Sequence, residues 1–503
     1  MKYTIIFLLT AVLLATGCNT WLDLEPDNER LTQQYWEKEE DVSTTVISGY
    51  VRLRKALPRL IQWGEARADV AQVSSTYADL TRMNQQNITS DDEFVKWGDL
   101  YASINSANAV IKYASLVLEK DPLFTEQKLD RYVAEAKAIR ALAYFYLVRT
   151  FGEVPLILEP YVSDRQEFAT PKSPQATILN QITTDLRWCM KRLRTEYTDW
   201  EEPTSSLAWQ NRSRMTVWAA HALLADIFLW NEQYEECIEE CNTLINSNRF
   251  RLIAADLTIE EYENETWFQL FYPGATEESI FEFYFNSLEN EGNTLMTLFY
   301  GDGSNYTYSG SSALSEEFNE TPRDVRGLNG SFAGTANYFW KYLGTEFSNA
   351  DATNRRTSNT AANWIVYRYA EIFLMRAEAY AMLDDRASAV ADMNRVRVRA
   401  QSPALTPEAA ASMSRQEFLF EILNDRKKEL LVEGKRWYDL VRYAKKDHFA
   451  YKSEVLEVLL QRISVNERPI WVTRLNQNES FYLPIHKDEL ETNKLLVQNP
   501  AYK

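Results

Sequence analysis

Small and apolar residues recur at helical spacing through most of the chain, and this periodicity predicts an all-α dominated protein. Asp130 to Arg149 carries Val133, Ala136, Ala143, Tyr146 and Leu147 at such spacing. The run Phe151-Gly152-Glu153-Val154-Pro155 that follows supplies the glycine and proline that stop a helix. Gln416 to Tyr443 predicts a further helical pair, and Tyr101 to Phe151 a divergent first one.

Two segments share one pattern of core positions. Ala225, Phe228, Cys237 and Cys241 follow one another at steps of 3, 9 and 4, and Ala377, Tyr380, Ala389 and Met393 repeat those steps. A small residue and an aromatic on one helix, then a small and a larger apolar residue on the next, is the spacing of tetratricopeptide helix pairs. The small residues let two helices approach closely, and the aromatic fills the gap beside them. Cys237 and Cys241 therefore fall on inward repeat positions. Their Cys-x3-Cys spacing also suits a metal or redox pair, but no histidine lies within ten residues of either, and core packing is the expectation.

The texture changes between the two repeats. Residues 292–344 hold eight of the chain's fifteen glycines together with Phe299, Tyr300, Tyr306, Tyr308, Phe318, Phe332, Tyr338, Phe339, Trp340 and Tyr342. Glycine at that density forbids a regular helix, and aromatics at that density argue against disorder. A large irregular insertion at about 260–350 is predicted, and it is the candidate binding surface.

Composition narrows the function. The chain has 503 residues, 45% of them hydrophobic, which is enough for a large folded core. Its formal charge is −18, which disfavours nucleic acid as a partner. At the N-terminus Lys2 precedes an apolar run, Ile5 to Leu14, and the small residues Ala15-Thr16-Gly17-Cys18. That is the layout of a cleaved secretory signal, too short to span a bilayer. A cysteine after the small residues resembles a bacterial lipobox, with Ala15 where leucine is usual, and predicts acyl chains on Cys18. Residues 1–17 are then the signal peptide and 18–503 a single mature domain, held to a membrane only by its lipid. Cleavage removes one lysine and no acid, leaving −19. Of the four cysteines three then remain, so a disulfide framework is not expected.

With these features in place the chain resembles the SusD/RagB family. The resemblance rests on Cys18 followed by Trp21-Leu22-Asp23-Leu24-Glu25-Pro26, on Tyr101-x2-Ile104-Asn105-x2-Asn108, and on Arg140-Ala141-x2-Tyr144 before Phe151-Gly152-x-Val154-Pro155. It continues with Arg376-Ala377-Glu378-Ala379-Tyr380, Asn394-x2-Arg397-x-Arg399-Ala400, and Arg426-x2-Glu429-Leu430-x2-Glu433-Gly434-x-Arg436-Trp437-x-Asp439-Leu440. Leu483-Pro484-Ile485 and Gln498-Asn499-Pro500-x-Tyr502 complete the set. The resemblance implies a tetratricopeptide-like helical scaffold with an irregular ligand-binding region. It also implies an outer-membrane lipoprotein facing the exterior that captures a glycan and delivers it to a SusC-like TonB-dependent barrel. A peptide-binding, RagB-like member of the same uptake system is the alternative. Gly434 is expected to mark a tight contact or turn, with Glu429, Glu433 and Arg436 in a charge network around it.

A surface-anchored hydrolase is the competing class. The chain contains neither His-Glu-x-x-His nor Gly-x-Ser-x-Gly, and its three histidines, His221, His448 and His486, are expected to be structural or solvated. Gly301-Asp302-Gly303-Ser304-Asn305 lacks the residues of a phosphate or calcium loop and reads as a turn. A binding protein, not an enzyme, with no metal or cofactor, is the reading. Sugar rings need aromatic faces and planar hydrogen-bonding groups. Two stretches supply them. One is the insertion, with Tyr306, Tyr308, Tyr338 and Trp340 among Asn305, Asn337 and Lys341; the other is Arg67 to Asn87, with Asp69, Tyr77, Arg82 and Asn84. Trp97 and Trp437 are assigned to the core.

Overall fold

The computed structural model describes residues 34–74, 76–163, 166–197, 209–254, 267–286, 292–293, 296–299, 307–319, 321, 323–328, 330–331, 339, 341–343 and 361–503. Cys18, Tyr306, Tyr338 and Trp340 lie outside them, as does the Gly301 to Asn305 loop.

Helices α1 (Glu39–Ile61), α2 (Ala78–Asn84), α3 (Gly98–Tyr113), α4 (Glu126–Phe151) and α5 (Gln175–Cys189) form the first half of the scaffold. Helices α6 (Val217–Trp230), α7 (Tyr234–Asn246), α8 (Tyr369–Met382), α9 (Arg386–Arg399), α10 (Arg415–Glu429) and α11 (Arg436–Phe449) form the second. Packing follows the chain: α1 on α3, α3 on α4, α4 on α5, α6 on α7 and α8 on α9, with α7 and α10 both against α8. The predicted repeats are the α6–α7 and α8–α9 pairs. Ala225, Phe228, Cys237, Cys241, Ala377, Ala389 and Met393 are all buried at their seams. Tyr380 is only half-buried.

Local chemistry sets the helix limits. The side chains of Thr125, Thr216, Asp385 and Ser414 accept the backbone N–H three residues on, at the starts of α4, α6, α9 and α10. Each such cap stabilises its helix by about 1 kcal/mol. Gly152 ends α4 at φ +76°, a conformation in which a side chain is strained. Helix α4 differs from the amphipathic expectation in one respect. Every residue from Ala138 to Phe151 is buried, so this half of the helix is central to the molecule. Its charged members are therefore paired: Arg140 donates to Asp185 at 2.6 Å and to the Asn108 side-chain Oδ1 at 2.7 Å, and Arg149 to Asp226 at 3.0 Å.

Strands β1 (Ala71–Val73), β2 (Ser279–Phe283), β3 (Tyr308–Gly310) and β4 (Trp364–Arg368) form two antiparallel pairs, β1 with β3 and β2 with β4. The described part of the insertion packs into the same core as the scaffold. Tyr342 stacks on Trp364 with centroids 4.8 Å apart and meets Phe271 edge-on at 5.5 Å. Among its described residues the insertion also holds helical elements that its glycine content argued against, the single turn Met296–Phe299 and the helix Ser312–Asn319. That helix falls in a glycine-free stretch between Gly310 and Gly327.

Candidate functional site

The turn between α10 and α11 holds the site region together. Arg368, at the end of β4, donates to Glu278 at 2.8 Å, Glu429 at 2.5 Å and Glu433 at 2.8 Å, and also to the Glu429 carbonyl. Lys341, from the insertion, donates to Glu433 at 2.5 Å and to the carbonyls of Glu429 and Leu431. Arg399 joins Glu278 at 2.8 Å and also pairs with Glu429, while Arg326 pairs with Asp324 at 2.6 Å and lies 3.6 Å from Glu429. All of these side chains are buried. Burial alone would raise the Glu429 carboxyl, but Arg399, Arg368 and Arg326 outweigh it and hold it far below the usual range. Lys341, named above among the polar groups for a ligand, is corrected to a structural role, because its ammonium is spent on this cluster.

Gly434 sits at φ +72° within the same turn. Its N–H, with that of Lys435, donates to Glu65 Oε1 at 2.8 and 3.2 Å. A Cβ added to Gly64 would fall 1.9 Å from the Gly434 carbonyl oxygen, so Gly64 is needed for the backbones to meet, while Gly434 is needed for its positive φ. Burial pushes the Glu65 carboxyl up to about 8, the two N–H donors opposing it, and burial pulls Lys341 down to about 8. The expected charge network around Gly434 is present, with Arg436 directed at the Arg67 to Asn87 segment.

That segment is fixed from beneath. Asp69 receives Arg436 through two bonds of 2.7 and 2.9 Å. Its own burial would raise its pKa, but Arg436 holds it down at about 2. The Asn84 amide donates to the carbonyls of Ala66 at 2.7 Å and Ala71 at 3.2 Å. Arg67 is buried and donates to Gln86 and to the carbonyls of Phe481 and Ser480. Asp69 and Asn84 thus shape the loop in this structure and turn their polar atoms inward. Arg82 pairs with Asp79 at 2.9 Å and also with Asp92. Tyr77 alone of the aromatic candidates described here faces outward, 37% exposed. It lines a cavity of about 400 Å³ with Gln62, Asp79 and Glu93; no motif pointed to Gln62 or Glu93.

The two stretches suspected from sequence meet. β1 follows Arg67 and β3 lies in the insertion, and their register sets Ala71 opposite Gly310, Gln72 opposite Ser309 and Val73 opposite Tyr308. Ser74 extends the pairing by donating its N–H to the Thr307 carbonyl at 3.0 Å. Tyr308 itself is 0% exposed, against Phe299 with centroids 6.1 Å apart. Burial pushes its phenol far up, and its hydroxyl has no partner among the described residues. Its ring offers no face for stacking, which corrects the expectation for this residue. Trp97 and Trp437 are buried as expected. Cys189, Cys237 and Cys241 are free and buried.

Comparison with known proteins agrees with this architecture. The sequence model described as the SusD family matches residues 277–502, and one described as starch-binding associating with outer membrane matches residues 20–229. The chain is 25% identical over 472 residues to SusD-like protein P38 of Formosa agariphila, covering 85% of this chain and 88% of that protein. It is 26% identical over 550 residues to SusD-like protein P2 of the same organism, covering 100% of both. Among solved structures, a SusD superfamily protein from Bacteroides thetaiotaomicron superposes with a TM-score of 0.73 at 22% identity, over 93% of this chain and 99% of that one. A laminarin binding SusD-like protein superposes with a TM-score of 0.69 at 23% identity, over 93% and 100%.

Proposed function

The chain belongs to the SusD/RagB family, and from that membership we propose that it captures an oligosaccharide on the outer surface of the cell and passes it to a SusC-like TonB-dependent barrel. It acts as a binding protein and performs no chemistry on the glycan. The β1–β3 pairing carries this reading, because it joins the Arg67 to Asn87 loop and the insertion into one seam. Tyr77, three residues beyond Ser74 at the end of the seam, provides an aromatic face, and Gln62, Asp79 and Glu93 provide hydrogen-bonding groups beside it. Tyr306, Tyr338 and Trp340, which lie outside the described residues, are the further aromatics proposed to contact the ligand.

Acyl chains on Cys18 hold the protein to the outer membrane in this reading. No helix among the described residues is long and apolar enough to cross a membrane, so lipid and barrel supply the attachment. Cys18→Ala releases the protein from the membrane fraction of cells lacking the barrel, and unchanged retention there refutes the anchor. The ligand class is tested by calorimetry of the full chain against a panel of oligosaccharides and peptides. Binding of a saccharide that is weakened by Tyr77→Ala supports the glycan reading. Binding of peptides alone replaces it with the RagB-like one.

A further inference from the structure

A second aromatic surface lies away from the β1–β3 seam, where α1, the single helical turn Gln210–Ser213 and the end of β2 enclose a cavity of about 550 Å³. This volume is within the range of small-molecule sites, roughly 300–1,000 Å³. Trp209 and Tyr284 stack at its wall, with centroids 4.6 Å apart and planes inclined by 24°, and both rings are only half-buried. Each ring covers one face of the other, so the pair has its outer faces and ring edges to offer a ligand. Tyr284 is held in place, because Arg54 donates to its carbonyl at 3.1 Å and lies 5.5 Å from the ring of the next residue, Phe285.

The remaining walls are mixed in character. Ile47 and Val51, one turn apart on α1, line the cavity while 48% and 44% exposed. The Gln210 amide borders it, and the Ser213 hydroxyl is buried with no hydrogen-bond partner among the described residues. Buried hydroxyls are ordinarily satisfied; this oxygen is closed to solvent as it stands and reaches a ligand oxygen by rotation about χ1. Beneath it Arg214 is committed to Glu135 through two bonds of 2.8 and 2.7 Å, and Tyr50 donates to the same carboxylate at 2.6 Å. That floor is charge-balanced, and Arg54, which also lines the cavity, donates to the Tyr284 carbonyl, so the walls suit an uncharged ligand rich in hydrogen-bond acceptors. Flat aromatic rings, aliphatic carbons and a few neutral hydrogen-bonding groups are what the C–H faces and hydroxyls of a neutral pyranose require.

We propose that this cavity is a second saccharide-binding site, with the Trp209–Tyr284 pair as its stacking platform and Ser213 and Gln210 bonding sugar hydroxyls. The proposal rests on the glycan reading above but uses none of the residues of the seam. Two sites on one chain raise the avidity for a polymer that reaches both, and do so without strengthening either alone.

Calorimetry on the full chain in detergent tests it, using neutral trisaccharides (laminaritriose, maltotriose, cellotriose, mannotriose and xylotriose) with a melting curve for each variant. The wild type is expected to bind two molecules of one of them per chain. Trp209→Ala and Tyr284→Ala each weaken one of the two events by roughly tenfold and leave the other intact. Ser213→Ala removes one oxygen without disturbing the packing and weakens the same event, so a fall in melting temperature of the aromatic variants does not obscure the result. Saccharide binding with number and affinity unchanged in all three variants overturns the second site while leaving the glycan reading in place. No saccharide bound by the wild type overturns both.

Discussion

The Glu429–Arg436 turn and the β1–β3 seam are tied to each other by Asp69 and Arg436, yet they are built on opposite terms. In the turn, Arg368, Arg399 and Lys341 are buried against Glu278, Glu429 and Glu433, and each of these cations has at least one of those carboxylates as a partner. In the seam the aromatic Tyr308 is fully enclosed, whereas Tyr77, three residues beyond Ser74, stands at the surface. The charged residues that stand out in the sequence thus hold the backbone, whereas the face left for a ligand is made by residues in no conspicuous motif. A dense charged motif in a scaffold of this kind marks where loops are moored.

The largest expected effect comes from breaking the mooring. Arg368→Ala leaves Glu278, Glu429 and Glu433 buried with their central cation gone and costs about 3–5 kcal/mol or prevents folding. Denaturant unfolding measures it, and a loss below 1 kcal/mol would show that water already screens the cluster.

Next is Tyr308, where two substitutions separate core from site. Tyr308→Ala empties a buried ring position and lowers stability by about 3–5 kcal/mol. Tyr308→Phe removes a hydroxyl that has no partner among the described residues, and leaves stability unchanged or slightly raised. Weaker glycan binding by a fully stable Tyr308→Phe would return the residue to the site.

Glu65 gives a smaller effect that depends on pH. Its carboxyl is raised by burial from 4.5 to about 8. Between those values the folded state keeps a proton that the unfolded chain has released. This contribution is therefore complete below pH 4.5, and it declines as pH rises, by at most about 1.4 kcal/mol per pH unit, until it is lost above about 8. Lys341, depressed from 10.5 to about 8, acts in the window above that, where stability rises with pH. Glu65→Gln keeps an acceptor for the Gly434 and Lys435 N–H groups and flattens the decline between pH 5 and 7.5. Parallel pH profiles for variant and wild type would assign the slope to other groups.

The smallest stability change belongs to Tyr77→Ala, within about 0.5 kcal/mol because the ring is exposed. Its effect is on the ligand, a loss of affinity of roughly tenfold if the ring stacks on a sugar. A lowered melting temperature with intact affinity would make Tyr77 part of the loop's packing and leave no exposed aromatic among the described candidates.

The helical scaffold was legible because its signals are local. Ala225, Phe228, Cys237 and Cys241 announce their helix pair through spacing alone, and the caps at Thr216 and Ser414 lie three residues from the N–H groups they accept. Gly434 was legible as a turn and its charged neighbours as a network, since glycine and ion pairs have few other uses in such a motif. Asp69, Asn84 and Lys341 were read as ligand groups, and in the structure each bonds to the protein itself. A polar side chain in a loop looks identical in sequence whether it meets a sugar or moors the loop, and its partners Arg436, Ala66, Ala71 and Glu433 are identified only by folding.

What the sequence by itself determined is the class of the molecule, with its helix pairs, its irregular insertion and the order of its motifs. These depend on periodicity and on residue chemistry within a few turns of chain. The tertiary structure alone decided which faces remain open. Pairing β1 with β3 joins segments far apart in the chain, and in a strand a shift of one residue exchanges the inward and outward sides. It is this register, setting Val73 opposite Tyr308, that accompanies a buried Tyr308 and an exposed Tyr77, and no local pattern encodes it.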